Sequence, residues 1–143
     1  MADRIRWGIL GTGRMASDFA IGLTRVDDAE LVAVGSRSSK SACLFAEKFG
    51  VSNAHPSYER LANDASVDVV YIATPHTLHY ENALMCMKSG KAVLCEKPFT
   101  INAREAETLI RYARDHNVFL MEAMWTRFIP AVIKLRELLR KML

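Results

Sequence analysis

The chain has 143 residues, 50% of them hydrophobic, and its 19 Lys and Arg against 16 Asp and Glu leave a formal charge of +3. That length and apolar content suit one globular domain with one buried core, and charges mixed along the chain, with no nucleic-acid-reading motif, argue against nucleic acid as a partner. No apolar run approaches a membrane span, and Asp3, Arg4 and Arg6 deny the N-terminus a signal peptide's apolar segment, so no membrane role and a cytoplasmic location are expected.

Ile5, Trp7, Ile9 and Leu10 read as a short buried strand, after which Gly11 and Gly13 turn the chain into a helix starting near Arg14. The spacing Gly-x-Gly-x-x-Ala is the dinucleotide fingerprint. Gly11 permits the tight turn, Gly13 presents no Cβ to a pyrophosphate, and Ala16 lets the helix pack closely on the strand. Free N–H groups at such a helix start hold phosphates, which assigns Gly11, Thr12, Gly13, Arg14 and Met15 to a cofactor. Glycine turns between strand and helix are common, so the case rests on the residues downstream of the turn.

Met15, Phe19, Ala20 and Leu23 place one face of a helix over residues 14–24 on a sheet, and Asp27 and Asp28 mark the turn out. Leu31 to Val34 form a second strand ending at Gly35. An enzyme for NAD wants a carboxylate near this strand end, to accept from the adenine ribose hydroxyls. Ser36-Arg37-Ser38 stands there instead. A guanidinium faces a 2′-phosphate well and the two serines add hydroxyl donors, which favours NADP; the alternative is that Arg37 is a solvated loop residue.

Ala42, Phe45, Ala46 and Phe49 give the next amphipathic helix, with Ser39 as its expected cap and Gly50 as its end. A short strand over 51–54, a brief helix over 58–61 and a β-branched central strand over 67–73 come next. Strands alternating with helices imply a parallel sheet with right-handed crossovers, a doubly wound α/β fold. The central strand empties into Thr74-Pro75-His76-Thr77-Leu78-His79 at the carboxyl edge, where such folds bind ligands. Thr74 and the backbone around Pro75 are placed to contact cofactor, and His76 or His79 to approach a substrate. Equally, the histidines cap or pack the helix over 78–88, which Ser89-Gly90-Lys91 closes.

Ala92 to Cys95 form the fifth strand, followed by Glu96-Lys97-Pro98. A lysine at the carboxyl end of a parallel sheet lies where substrate chemistry occurs, so Lys97 is the expected catalytic residue. Its ammonium would bond a substrate hydroxyl and favour the developing alkoxide during hydride transfer. Glu96 would orient Lys97 or touch the cofactor, and a cis bond before Pro98 would fix the turn, although most X-Pro bonds are trans. The plainer reading is an exposed Glu-Lys pair in an ordinary loop.

Asn102 and Glu105 make a capping pair for a helix with Ala106, Leu109, Ile110 and Ala113 on its apolar face, and residues 118–121 form a sixth strand. Trp125 and Arg127 then flank the nicotinamide end of the cofactor or, alternatively, are core and surface residues. Pro130 opens a last helix with Val132, Leu135, Leu139 and Met142 on one face and Ile133 and Leu138 off it. That surplus of apolar side chains is expected to drive self-association into a homo-oligomer or to leave the end frayed. Cys43, Cys86 and Cys95 are odd in number, lack metal-ligand spacing and read as buried free thiols; no metal is expected.

With these residues in view, the whole chain resembles the N-terminal Rossmann domain of the Gfo/Idh/MocA oxidoreductase family. The resemblance is carried by Gly11-Thr-Gly13, Ser36-Arg37-Ser38, Thr74-Pro75 through His79, and Gly90-Lys91 leading to Glu96-Lys97-Pro98. Met121 to Phe128 looks most like the branch of dihydrodiol dehydrogenases and NADP-linked D-xylose dehydrogenases. It implies strand order 3-2-1-4-5-6 and hydride transfer between NADP and a sugar or cyclic diol. It also implies a catalytic Lys97, with Trp125 and Arg127 near the cofactor. Family members continue into a second, mostly antiparallel domain that supplies an acid-base residue and much of the substrate pocket. Residues 1–143 are therefore expected to bind cofactor and, alone, to turn over substrate poorly. The competing reading is a stand-alone NADP-binding module without catalysis, for which a lysine at the nicotinamide end has no use.

Overall fold

The computed structural model describes residues 4–142. One parallel sheet runs in the order β3-β2-β1-β4-β5-β6, with β1 at Ile5–Leu10, β2 at Ala29–Gly35, β3 at Asn53–His55, β4 at Val69–Ile72, β5 at Ala92–Cys95 and β6 at Leu120–Glu122. The crossovers are α1 (Arg14–Leu23), α2 (Ser39–Phe49), α3 (Tyr58–Ala62), α4 (His79–Lys88) and α5 (Ala103–Asp115), and α6 (Pro130–Met142) comes after β6. This is the doubly wound Rossmann fold in the expected order. Sequential strands run outward from β1 to β3, then the chain crosses back to β4, so loops on opposite sides of the switch leave a crevice at the carboxyl edge.

Parallel strands covered on both faces read as continuous apolar runs, which is why β4 is Val-Val-Tyr-Ile. Adjacent residues supply opposite faces: Leu10, Ile72, Val93 and Cys95 pack under Leu61 of α3, Cys86 and Met87 of α4 and Leu109 of α5. Ile9, Val34 and Tyr71 pack under Ala16 and Ala20 of α1 and Phe45 of α2.

Several local expectations shift. Burial in β1 deepens toward its carboxyl end, and Ile5, expected inside, is 45% exposed. The cap of α2 is Ser38 and not Ser39, because Ser38 holds the extended backbone from which its Oγ accepts the Ser41 N–H at 3.3 Å. β3 and β6 each form two residues later than their apolar runs begin, and α4 is entered through a 3-10 turn at His76–Leu78. Gly50 and Gly90 end α2 and α4 with φ of +67° and +75°. Asn102 caps α5 as expected, its Oδ1 accepting the Glu105 N–H at 2.9 Å while its Nδ2 donates to Glu105 Oε1 at 3.1 Å. Cys86 and Cys95 are buried thiols, but Cys43 is exposed, since it lies off the Ala42–Phe45–Ala46 face of α2. No described residue of α6 is buried.

Candidate active site

Four loops meet at the carboxyl edge. The β1–α1 turn is fixed by Gly11, whose φ is +101° and where a Cβ would lie 2.7 Å from the Ala73 carbonyl oxygen. Only glycine fits, because backbone cannot yield there. A Cβ on Gly13 would meet no protein atom within 4 Å, so the space above it is left open. Gly13 is the N-cap of α1 and carries no capping side chain, and the first turn holds no acid, which leaves the leading N–H groups for an anion. Ala16 is fully buried against the sheet, the close packing its position calls for. Arg14 and Met15 are exposed around this opening; Arg14 lies 3.7 Å from Asp18, an exposed pair of little energetic weight. Thr12 is half-buried between the two glycines.

At the end of β2, Ser36 is buried, its N–H donating to the His55 carbonyl at 3.2 Å and its Oγ accepting the Ser38 N–H at 3.3 Å. Arg37 projects into solvent between them and, among the described residues, has no carboxylate partner. The turn thus presents one unpaired cation flanked by hydroxyls.

The β4–α4 and β5–α5 loops form the other half. Thr74 is buried, and its Oγ1 accepts from Asn82 Nδ2 at 2.9 Å. His79 is 1% exposed and spans the two loops, Nε2 lying 3.0 Å from the Thr74 carbonyl oxygen and Nδ1 2.8 Å from that of Pro98. Pro75, His76 and Lys97 are exposed. The Lys97-Pro98 peptide is cis. Together Thr74, Pro75, His76, His79, Glu96 and Lys97 line one pocket of about 360 Å3.

Glu96, 7% exposed, also lines a neighbouring pocket of about 350 Å3, with Met15, Phe19, Tyr71, Leu94, Met121 and Trp125 among its walls. Met15 and Glu96 are common to both pockets. The Tyr71 hydroxyl donates to Glu96 Oε1 at 2.6 Å, and Glu96 Oε2 accepts the Lys97 N–H at 3.0 Å. Burial and then the Glu96 carboxylate push the Tyr71 phenol well above its ordinary range, so it remains a donor. Trp125, on a 3-10 turn at Trp125–Phe128, is 58% exposed and is not a core residue; Arg127 is exposed and lines neither pocket. A larger depression of about 750 Å3 beside β6, lined by Phe99, Ile110 and Phe119 among others, holds none of the residues expected in the site.

Phe19 and Tyr71 escaped the sequence reading because each occupies an ordinary core position of its element. The available signal was a tyrosine in an otherwise aliphatic central strand, since a buried hydroxyl needs a partner. Lys91 proves structural: its Nζ donates to the Asp64 and Val67 carbonyls at 2.7 and 2.8 Å, fastening the loop before β4.

The Gfo/Idh/MocA family model, described as an oxidoreductase family with the NAD-binding Rossmann fold, matches residues 5–124. The chain is 47% identical over 137 residues to trans-1,2-dihydrobenzene-1,2-diol dehydrogenase of Mus musculus, covering 94% of this chain and 41% of the relative. It spans about two fifths of the length of the curated relatives it matches. Among solved structures, an NAD binding oxidoreductase from Klebsiella pneumoniae superposes with a TM-score of 0.91 at 30% identity, over 96% of this chain and 39% of that one. A 3-ketoreductase from Actinomadura kijaniata in complex with NADP does so with a TM-score of 0.90 at 31% identity, over 97% and 44%. No helix among the described residues is long and apolar enough to cross a membrane.

Proposed function

The chain belongs to the Gfo/Idh/MocA oxidoreductase family, and from that premise we propose that it binds NADP in preference to NAD and serves a dehydrogenase of sugars or cyclic diols. The observation that carries the reading is a convergence at one sheet edge. An uncapped helix start above an open glycine, an unpaired arginine between two serines, and an exposed lysine beside a buried glutamate stand on the carboxyl ends of β1, β2 and β5 of one parallel sheet.

The residues fit a dinucleotide. The first-turn N–H groups of α1, with Gly11, Thr12, Gly13 and Arg14, hold the pyrophosphate, and Arg37 with Ser36 and Ser38 holds the ribose 2′-phosphate. Thr74, Pro75 and His76 border its middle and Met15, Glu96 and Trp125 its nicotinamide end, with Arg127 two residues beyond Trp125 on the same 3-10 turn. The apolar pocket behind Met15 and Glu96 offers that end an apolar wall. NADP, when bound, supplies the hydride acceptor. Lys97 donates a hydrogen bond to the substrate oxygen and holds charge as the C–O–H group is oxidised, and His79 keeps the loop bearing Lys97 clasped to Thr74. Trans-1,2-dihydrobenzene-1,2-diol dehydrogenases among the relatives and a 3-ketoreductase among the structural neighbours support a hydroxyl or carbonyl substrate. The group that exchanges a proton with that oxygen belongs, in this reading, to a second domain within the length of the relatives that this chain does not span.

Titration with NADPH and NADH, followed by fluorescence, tests the assignment. NADPH is expected to bind at least about tenfold more tightly, and Arg37→Ala to remove most of that preference while leaving NADH binding nearly unchanged. Equal affinities in the unaltered chain would overturn the preference for NADP, and tighter binding of NADH would return the choice to NAD.

A further inference from the structure

Resting on that cofactor reading, we propose that Tyr71 is a positioning residue for the nicotinamide end of the site, acting through Glu96 on the start of the Lys97 turn. The Glu96 carboxylate has one strong donor on each oxygen, the Tyr71 hydroxyl at 2.6 Å and the Lys97 N–H at 3.0 Å. Two bonds in different directions fix both the carboxylate plane and the backbone from which Lys97 projects. Tyr71 is itself held by packing. Its ring, 2% exposed, stacks on Phe19 at a centroid distance of 3.8 Å and 17° between planes, and Phe19 meets the edge of Trp7 at 5.3 Å.

Packing does not require this hydroxyl. A phenylalanine would fill the same volume and stack on Phe19 equally well, and a carboxylate withdrawn from water costs stability unless its bonds are made. What the pair accomplishes is mechanical. Phe19 belongs to α1, whose first turn faces the phosphates, so the chain Phe19–Tyr71–Glu96–Lys97 ties the phosphate end of the site to the lysine end. Glu96 and Met15 stand where the apolar pocket meets the pocket that Lys97 lines.

The test compares NADPH with 2′-phospho-ADP-ribose, which has the same adenine, pyrophosphate and 2′-phosphate but no nicotinamide. Tyr71→Phe is expected to weaken NADPH about tenfold, the size of one hydrogen bond to a charged group, and the fragment less than about twofold. NADPH fluorescence should lose its protein-bound enhancement in parallel. Glu96→Gln is the second variant should Tyr71→Phe fold poorly. It should separate the two ligands in the same way, and combining both substitutions should add little to either alone, because they break one linkage. Loss of both ligands to the same degree, a lowered melting temperature with the ligand ratio intact, or additive effects would overturn the proposal. A wild-type chain that binds neither compound would overturn the NADP reading itself and this inference with it. Wild-type binding of both, with Tyr71→Phe unchanged, would overturn this inference alone.

Discussion

One face of the sheet is covered by α3, α4 and α5, and from β1 to β5 its inward residues, among them Leu10, Val70, Ile72 and Val93, have no exposed surface, nor has Leu109 of α5 above them. The other is covered by α1 and α2 over β1 to β3, but beyond β4 its residues Leu94, Met121 and Ala123 are only half-buried and become pocket wall. The same strands supply both faces, since side chains alternate, so one substitution can address stability and its neighbour the site. The closed face is where folding free energy concentrates, and the open half is where apolar surface is kept available.

Truncation at paired positions gives the largest effect and the sharpest test of that contrast. Leu109→Ala, at a fully buried site on the closed face, is expected to cost about 2–5 kcal/mol in urea denaturation. Leu94→Ala, on the open half, is expected to cost about 1 kcal/mol and to weaken NADPH binding, which Leu109→Ala should leave intact wherever the protein stays folded. Equal stability losses at the two positions would erase the distinction between the faces.

The two fingerprint glycines divide along the same line, with a smaller effect. Gly11→Ala places a Cβ against the Ala73 carbonyl at positive φ and is expected to lose about 1–3 kcal/mol. Gly13→Ala meets open space and should change stability little, while the new methyl obstructs a bound pyrophosphate. Melting temperatures with and without NADPH distinguish them: Gly11→Ala should melt lower in both conditions, Gly13→Ala only when nucleotide is present.

The helix faces and most caps were legible in the sequence because they derive from local periodicity and local hydrogen bonding, whereas the strand order came from the family resemblance. Ala106, Leu109, Ile110 and Ala113 announce one face of α5, and Asn102 with Glu105 announces its start. The loops that form the site were legible for the same reason, since a residue at a strand's carboxyl end is at the crevice in this fold whatever its side chain does. Pairings across the sheet were not legible. Tyr71 meets Glu96 across 25 residues, and nothing near either one shows it. Trp125 was equally ambiguous, because whether an aromatic beyond the last strand is covered depends on what packs on the open half. Strand boundaries in β3 and β6 moved because apolar content marks burial, while pairing depends on where the neighbouring edge stands: Val51 is core yet precedes the ladder.

A smaller effect, and one specific to pH, comes from the polar seam outside β3. Ser66 donates from its N–H and Oγ to Asp64 Oδ1 at 2.8 and 2.6 Å, while Asn53 Nδ2 and His55 Nε2 meet Oδ2 at 3.0 and 2.7 Å. Partial burial alone would push this carboxyl up, but the donors from Ser66, His55 and Asn53 outweigh it and hold Asp64 well below the usual carboxylate range. A carboxyl whose folded-state pKa is depressed adds stability above its unfolded value, about 3.9, and loses it as pH falls from there toward the folded value. Asp64→Asn should therefore cost about 1 kcal/mol relative to wild type between about pH 5 and 7, and the gap should close progressively as pH drops below about 4. Urea denaturation of both proteins across that range is the measurement. A gap that stays constant into acid would mean that Asp64 contributes through shape and not charge, and that the β3 edge is held by the neutral bonds of Asn53 and Ser66.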